Sequence, residues 1–569
     1  MIKVEKLNPF GRMCVSLGMI PSSYKESLTY EEQLLWFCKY LEDTVIPTVN
    51  NNAEAVEELQ NLYIELKAYV DAYFDDLNVQ EQINHKLDEM ASDGTLAEII
   101  NQEIFNELNE QVGQNTEDIS TINNSLDDIE DVIEELDGNV FTIIEDLRKN
   151  NYADYNILTK NTTNSFFNKI QIYESDEKLN YKYYINEEEL KNSGGTTIYV
   201  DKNFAGSSDG SESAPYKTIY TGIEHCADGD TLYIKKAIYR REQIPGKTQI
   251  IPNINIICEE GTILSASSEL SWSQNGTYSN VYQATRSNST SVVDVRDHKN
   301  PVKLIKKNSL AEVSQLIGSY YTDNVIVYVN LGEVVTNEKI VVNLAISDNQ
   351  QLNFTPKNSS NLKIYLENAI CLNGDAPLVR ASNTSSYTCE FNAKNCKFLF
   401  NTSSTTNGID LLGSNSVLIN CEASYNKKDG FNYHMNNSVS CKGIEINCVG
   451  SYNGLNNNDH LNNGSTMHDG GEIIRINGNY FKNNGANVAD VNTGTISMNI
   501  NCNAFDSVAE VENAYNSDFC TQQAGAIMYL YNCIAKGDSY KNLYAVTDST
   551  IYVTSSLYDT TEGNVIVES

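Results

Sequence analysis

Histidine and aspartate gather in one short span of this sequence. Three of its six histidines lie between residues 429 and 469, interleaved with carboxylates. Histidine titrates near neutral pH and is a common metal ligand, so such a group predicts acid–base chemistry. The candidate catalytic residues are Asp429, His434, Asp459, His460, His468, Asp469 and Asp490. The plain alternative is a set of polar turns, because Asp and Asn are common turn formers.

A repeat runs through the same part of the chain. Asn-Cys dipeptides recur at intervals of 25, 27, 30, 24 and 31 residues once Asn477-Gly478 is counted in the series. The dipeptides are Asn395-Cys396, Asn420-Cys421, Asn447-Cys448, Asn501-Cys502 and Asn532-Cys533. Short apolar runs rich in β-branched residues precede them, as in "VLINC" and "IEINC". A repeat of this length without helical periodicity predicts a solenoid with a strand in every turn, that is, a parallel β-helix.

The Asn-Cys pair also predicts what lines the solenoid. Adjacent residues of a strand point to opposite sides, so only one member of each pair can face inward. Either cysteine packs inside as a small hydrophobe, or asparagine forms a hydrogen-bonded ladder there. Zinc binding is disfavoured because no CxxC motif occurs.

The repeat provides a ruler for the candidate site. His434 follows Asn420, Asp459 and His460 follow Asn447, and Asp490 follows Asn477, all at nearly the same offset along the chain. We therefore expect these four at one level on three consecutive turns, with the remaining candidates in turns that fold over the same face. Neighbouring turns stack at ~4.7–4.9 Å, so carboxylate spacings for retaining and for inverting glycosidases are both open. The same residues suit a phosphodiesterase, and a divalent cation such as Ca²⁺ held by aspartate stays open.

Composition excludes several classes of function. Residues 1–150 carry −23 of the formal net charge of −36, which leaves −13 for residues 151–569. The chain offers no basic face for nucleic acid, and no run of about 18 apolar residues for a membrane span. Its start lacks the apolar segment of a signal peptide, so we expect synthesis in a cytoplasm.

The amino-terminal part of the chain is predicted to be helical. Residues 1–103 contain capped amphipathic helices with more apolar surface than they bury among themselves, which predicts docking to a partner. Across residues 104–150 a heptad repeat holds for more than six repeats, with Asn115 as its polar core residue. Its core positions are Phe105, Leu108, Val112, Ile119, Ile122, Leu126, Ile129, Ile133, Leu136, Val140, Ile143 and Leu147. Ile and Leu at both core positions favour three strands or more, so we expect a homotrimeric coiled-coil stalk.

Further domain boundaries follow from changes in residue composition and pattern along the chain. Residues 151–195 form a polar connector, and residues 196–291 hold strand-like runs ("TIYV", "GDTLYI") around a short helix. Residues 292–347 predict an α+β insertion, and residues 348–569 the main solenoid. The expected protein is multidomain: an α-helical anchor and a trimeric coiled coil, followed by a β-solenoid.

Two stretches carry a resemblance to known proteins. The segment "IYVDKNFAG…APYKTI" resembles the entry turn of right-handed, pectate-lyase-like β-helices. With the start "NPFGRMCVSLGMIPSSYKESLTYEEQLLWFCKYL" and the stalk, the chain resembles tail spikes or tail appendages of bacteriophages, particularly small tailed phages of Gram-positive hosts. The resemblance implies a virion protein that attaches to a tail or collar protein through residues 1–100. It implies that the β-helix binds a host surface glycan, either depolymerising it (polysaccharide or teichoic acid) or acting as a receptor-binding fibre without enzymatic activity.

Overall fold

The computed structural model describes residues 155–162, 164–246, 248, 250, 252–343, 350–357, 360–455 and 458–568. The predicted helical anchor (1–103) and coiled-coil stalk (104–150) lie outside these described residues. Among the helices that are described, none combines the length and apolarity needed to cross a bilayer.

A right-handed parallel β-solenoid of about 12 turns dominates the described chain. From Leu352 onward, a full turn adds one strand to each of three faces, which we name faces I, II and III in chain order within a turn. The entry turns before it contribute to faces II and III only. Alternate side chains enter a continuous apolar interior, as the β-branched runs of the sequence require. The predicted β-solenoid is thereby confirmed.

The strands of the three faces have the following bounds. Face I contains Leu352–Phe354, Val379–Ser382, Ile409–Leu412, Phe431–His434, Ser465–Met467, Val488–Val491, Ser517–Gln522, Lys541–Ala545 and Thr561–Glu562. Face II contains Thr197–Val200, Thr231–Ile234, Cys389–Lys394, Asn415–Ile419, Lys442–Ile446, Glu472–Ile476, Ile496–Ile500, Ile527–Tyr531, Thr550–Thr554 and Val565–Val567. Face III contains Ile238–Tyr239, Lys397–Leu399, Glu422–Ser424, Val449–Ser451, Asn479–Phe481, Asn503–Phe505, Ile534–Lys536 and Leu557–Tyr558. Two long strands, Asn255–Ser265 and Leu362–Leu372, run through faces II and III without a break.

The Asn-Cys dipeptides form the corner between faces II and III. The asparagine adopts the left-handed conformation (φ 53° at Asn447), which Asn tolerates better than other non-glycine residues. Its side-chain amide donates to the equivalent Asn of the preceding turn, 2.9 Å from Asn447 Nδ2 to Asn420 Oδ1. The following cysteine points inward, and its thiol contacts a carbonyl one turn back, 3.4 Å from Cys448 Sγ to Leu418 O. The first sequence alternative is therefore the one realised, with cysteine inside, and the asparagine ladder that the second alternative placed in the interior lies on the outside.

A second asparagine ladder lies inside the corner between faces III and I. Asn426 donates to Asn453 Oδ1 at 3.1 Å, and Asn453 donates to Asn483 Oδ1 at 2.9 Å. All three side chains are buried, so the ladder satisfies polar groups where the chain turns toward face I. The loops that leave this corner differ in length from turn to turn.

The connector forms an apolar layer against face II. It consists of an antiparallel sheet and two short 3-10 helices. The strands are Tyr155–Ile157, Ile170–Ser175 and Tyr181–Ile185, and the helices are Ser165–Lys169 and Glu187–Leu190. Its buried side chains, such as Phe167 and Ile172, pack with outward-facing face II residues such as Ile444 and Ile474. The prediction of a merely polar connector was thus incomplete, because its few apolar residues are those that cover face II.

The entry turns have the types and order of elements that the sequence predicts. Strand Thr197–Val200 is followed by helix Ile219–His225 and strand Thr231–Ile234. Thr218 caps the helix, since its hydroxyl accepts from the backbone N–H of Thr221. Ile219 and Ile223 of this helix join the apolar interior, so the helix packs on the first turns of the solenoid.

The α+β insertion is longer than predicted. Strands Ser273–Gln274 and Tyr282–Thr285 already belong to its five-stranded sheet, so it begins before residue 292. That sheet also contains Ile305–Lys306, Ser319–Thr322 and Ile326–Asn330, while Val292–Asp294, Val302–Lys303 and Ile340–Val342 form a three-stranded sheet. Helix Leu310–Gln315 packs on the larger sheet. Val293 and Val341 pack on outward-facing residues of face III, including Leu399, which fixes the insertion to the solenoid.

Candidate functional site

The outer side of face I holds most of the candidate residues. Asp410, Asn432 and Thr466 occupy paired positions on three consecutive strands and point away from the interior. Neighbouring positions in this row are ~4.7–4.9 Å apart in backbone spacing. The loops from face III enter at one edge of the row, and the turns toward face II leave at the other. We call this row and its two edges the face I site.

Asp429 is the most strongly perturbed carboxyl of the face I site. It is buried, and its oxygens accept from the backbone N–H of Asn463 at 2.8 Å and from the Thr466 hydroxyl at 3.2 Å. Burial raises the pKa of Asp429 to about 6, although its hydrogen bonds and the neighbouring Lys428 and His434 lower it. A carboxyl with this pKa can carry a proton near neutral pH and give it up, as a general acid must.

Asp410 is a second carboxyl on the site, and the sequence analysis missed it. Its side chain is almost fully buried and accepts from Asn407 Nδ2 at 2.8 Å and from Arg380 Nη2 at 3.4 Å. Asn407 also accepts from the backbone N–H of Asp429 at 3.2 Å, so one amide links the Asp410 carboxyl to the Asp429 backbone. The available signal was the lone charge in the apolar strands "LVRAS" and "GIDLL".

His434, His468 and Asp469 form the edge of the site toward face II. The two imidazole rings stack with centroids 3.7 Å apart, because they lie on adjacent turns at the ends of adjacent strands. His434 Nδ1 lies 3.0 Å from Asp469 Oδ2. Desolvation and the neighbouring His434 lower the pKa of His468 to about 4, so His468 is neutral at neutral pH. The His434 side chain is 42% exposed, which gives this edge access to solvent.

Asp459 and His460 lie at the opposite edge, in the loop that leads from face III. Lys428 Nζ lies 3.0 Å from Asp459 Oδ2, and His460 Nδ1 lies 2.9 Å from Asn484 Oδ1. Partial burial raises the pKa of Asp459, but the hydrogen bonds from Lys428 and Asn462 outweigh it and lower the net value. These residues hold the loop, and the row of face I separates them from His434.

Asp490 is not on the face I site, contrary to the predicted grouping with Asp459, His460 and His434. Its side chain points into the solenoid, is fully buried, and lies 3.1 Å from Arg475 Nη1. Arg475 also donates to Ser465, whose hydroxyl donates to Glu445 at 2.8 Å. Although burial lowers the pKa of Arg475, the Asp490 and Glu445 carboxylates raise it overall. Asp490 therefore belongs to an ionic network inside the solenoid.

Offsets from the corner asparagines misplaced Asp459, His460 and Asp490 for two separate reasons. The face I strands that begin at Phe431 and Val488 start at the same offset from their corner asparagines, whereas the strand that begins at Ser465 starts later in its turn. The extra residues lengthen the loop before that strand, so Asp459 and His460 fall in the loop. Asp490 pairs with Met467, and Met467 pairs with Tyr433, so Asp490 is level with Tyr433 and not with His434. Because sides alternate along a strand, this difference of one residue places the Asp490 side chain on the inner side.

Across the described residues, no three His, Cys, Asp or Glu side chains converge as a metal site would require. The suggested Ca²⁺ site stays a prediction. The eleven described cysteines are free thiols, and those of the corner are buried.

The face I site holds a protonatable carboxyl, a second carboxyl and an imidazole along one row and its edges. Asp429 and Asp410 are desolvated, whereas the Arg380 and His434 side chains are 37% and 42% exposed. Two carboxyl groups in different environments are the arrangement by which one acts as acid and the other as base. This chemistry suits acid–base cleavage of a polymer that lies along the solenoid.

No protein-family model matches the chain, and no curated protein matches it. Among solved structures, a glycoside hydrolase is 10% identical with a TM-score of 0.40, and the match covers 66% of this chain and 96% of that one. Pectate lyase Pel9A is 12% identical with a TM-score of 0.33, with 67% and 80% covered. The ORF18 protein of Geobacillus virus E2 is 11% identical with a TM-score of 0.27, with 65% and 60% covered. Similarities at this level carry no function over to this chain.

Proposed function

We propose that the protein depolymerises a glycan by hydrolysis at the face I site. The observation that carries this proposal is Asp429, a buried carboxyl whose pKa is raised to about 6, at the edge of a row that also holds Asp410.

In this mechanism Asp429 donates its proton to the oxygen of the scissile glycosidic bond. Asp410, held by Arg380 and Asn407, is the second carboxyl, which either activates water or attacks the sugar. His434, oriented by Asp469, binds a sugar hydroxyl at the exposed edge. Each group then has a role that its burial and its partners suit.

The direct test is incubation of the full chain with purified polysaccharide and with teichoic acid from candidate Gram-positive hosts. Chain shortening, measured by size-exclusion chromatography with light scattering, supports the proposal. Ultraviolet absorbance of an unsaturated product would replace hydrolysis by lyase chemistry, and release of phosphomonoesters would replace it by phosphodiesterase chemistry. Binding to cells without shortening of any polymer would favour the receptor-binding alternative.

The wider setting we infer is a trimeric spike or appendage of a phage tail, which adsorbs to the host through the solenoid. The support lies in the sequence: the heptad of residues 104–150 and the resemblance of residues 1–100 to particle-attached proteins. Sedimentation equilibrium of the full chain is expected to give a trimer mass, and a monomer mass would contradict this. Deletion of residues 1–100 is expected to yield particles that lack the protein, and particles that still carry it would contradict docking through this region.

A further inference from the structure

A groove lies between the insertion and the corner that leads from face III to face I. Its volume is about 500 Å³. Lys303 and Lys306 line it from the insertion, while Tyr425, Lys427 and Tyr452 line it from the solenoid. We call it the lysine groove. No sequence motif pointed to it, because its lysines come from segments that are far apart in the chain.

The walls of the lysine groove are fixed by packing on both sides. The Tyr320 hydroxyl, inside the insertion, donates to Thr290 O at 2.8 Å. Asn343 reaches across to the solenoid, with its Nδ2 at 3.4 Å from Thr402 Oγ1. Together with the apolar contact of the insertion on face III, these bonds hold the two walls apart at a set distance. The groove therefore exists before any ligand arrives.

The charge of the lysine groove is opposite to that of the whole chain. Among the described residues that line it are three lysines and no acid, in a protein whose formal net charge is −36. A neighbouring carboxyl, Asp375, is hydrogen-bonded to Thr402 at 3.3 Å, and burial raises its pKa. Desolvation lowers the pKa of Lys303, and the charges of Lys427 and Lys306 lower it further. A bound anion would relieve this repulsion.

Two stacked tyrosines form one side of the lysine groove. Tyr425 stacks between Tyr452, at 4.9 Å and an interplanar angle of 3°, and Phe400, at 5.4 Å and 28°. Both faces of the Tyr425 ring are therefore covered, and its 42% exposure leaves the ring edge and the hydroxyl for contact with a ligand. A phenolic hydroxyl can donate a hydrogen bond to an anion. The combination of ammonium groups with this hydroxyl therefore suits an anionic ligand.

The lysine groove adjoins the face I site along the chain. Lys427 lines the groove, Lys428 bonds Asp459 in the neighbouring loop, and Asp429 is the proposed acid. Three consecutive residues thus join the groove, the edge of the site and its chemistry.

We propose that the lysine groove binds the carboxylate or phosphate groups of an anionic glycan next to the face I site. This deepens the proposed function by naming the class of polymer, and it rests on that function for cleavage but not for binding.

The test measures binding separately from cleavage. The full chain with Asp429→Asn, which is expected to slow turnover, is compared with the same chain carrying Lys303→Gln, Lys306→Gln and Lys427→Gln. The matched control carries Lys235→Gln, Lys299→Gln and Lys536→Gln, which remove the same charge from exposed lysines that pair with Glu212, Glu260 and Asp559. The probes are polygalacturonate for carboxylate, poly(glycerol phosphate) for phosphate and dextran as the neutral polymer, in affinity electrophoresis at low ionic strength.

We expect the groove variant to lose at least about tenfold in affinity for one of the two polyanions, with the loss shrinking as salt is added. The control is expected to stay within about twofold, and dextran mobility is expected not to change. Which polyanion responds distinguishes carboxylate from phosphate. A further variant, Tyr425→Leu, is expected to weaken the same interaction.

Equal losses of polyanion affinity in the groove variant and the control would overturn the proposal. It would also be overturned if the parent protein, which carries only Asp429→Asn, binds neither polyanion. These outcomes are independent of catalysis. If no polymer is cleaved but the groove variant alone loses binding, the proposed hydrolysis fails and the groove stands. If Asp429 governs cleavage while the groove variant binds normally, the groove fails and the hydrolysis stands.

Discussion

The two sides of face I put buried carboxyls to different uses. On the inner side, Asp490 is fully enclosed and paired with Arg475 at 3.1 Å. On the outer side, Asp429 accepts hydrogen bonds from two neutral donors, the Asn463 N–H and the Thr466 hydroxyl, and lies near the exposed His434. Burial raises the pKa of both acids, so a perturbed pKa alone does not mark a catalytic residue. What separates them is whether a neighbouring group reaches solvent and thus a substrate.

The comparison is tested most strongly by Asp429→Asn. This change keeps the volume and an acceptor for Asn463 but removes the transferable proton. We expect glycan cleavage to fall by about 10²–10⁴-fold, the usual range for a general acid. Reducing-end release measures this, with thermal unfolding as the check on folding. Asp459→Asn is the control, because that side chain holds a loop, and we expect its effect to be below about tenfold.

Asp490→Asn tests the inner side. It leaves Arg475 with one carboxylate fewer in the interior, and breaking a buried ion pair typically costs about 3–5 kcal/mol. We expect a lowered midpoint of thermal unfolding by calorimetry, with cleavage per folded molecule retained. An unchanged midpoint combined with lost cleavage would return Asp490 to the catalytic set.

The pH profile of cleavage tests the state of Asp429. With a pKa of about 6, the acid is protonated below that pH and loses its proton above it. We therefore expect kcat to decline on the alkaline side with a midpoint near pH 6, and Asp429→Asn to abolish that limb. The folded-state pKa is raised, so its contribution to stability is present at low pH and is lost as pH rises toward 6. A rate that stays flat from pH 5 to about 8 would remove Asp429 as the acid.

The smallest expected effect concerns the outer asparagine ladder, which is structural. Asn447→Gly keeps the left-handed conformation but removes the ladder bonds, so we expect a loss of about 0.5–1 kcal/mol. Asn447→Ala adds backbone strain of about 1–2 kcal/mol. Denaturant unfolding of the two variants separates the contribution of the ladder hydrogen bonds from that of the backbone strain. Neither should change cleavage, because this corner lies between faces II and III, away from face I.

Much of the architecture could be predicted from the sequence, and the details of the site could not. The Asn-Cys series marks a corner that recurs once per turn, and its stacking needs no knowledge of the loops. His434, His468 and Asp469 were predicted near one another and do lie together. Asp410 gives little signal in the sequence, because one aspartate in an apolar strand is informative only when its neighbours are known.

The misplacement of Asp490 shows what spacing alone cannot resolve. A strand alternates its sides with every residue, so an error of one position exchanges the interior for the surface. The turn from Asn447 to Asn477 is longer than the turns on either side of it, and it adds the extra length in one loop, which counting along the sequence cannot locate. Side assignment therefore needs the start of each strand, which the structure supplies.

The column of corner cysteines has a consequence for how the molecule comes apart. Cys396, Cys421, Cys448, Cys502 and Cys533 each sit in a separate turn, buried and in thiol form. In a solenoid each turn contacts only its neighbours, so opening can proceed from an end by fraying. Labelling with a thiol-reactive reagent, followed by peptide mass mapping, would then measure how fast each of these cysteines becomes exposed during unfolding. The chain thus carries its own chemical reporters of unfolding in five of its turns, with a gap at Gly478 between Cys448 and Cys502.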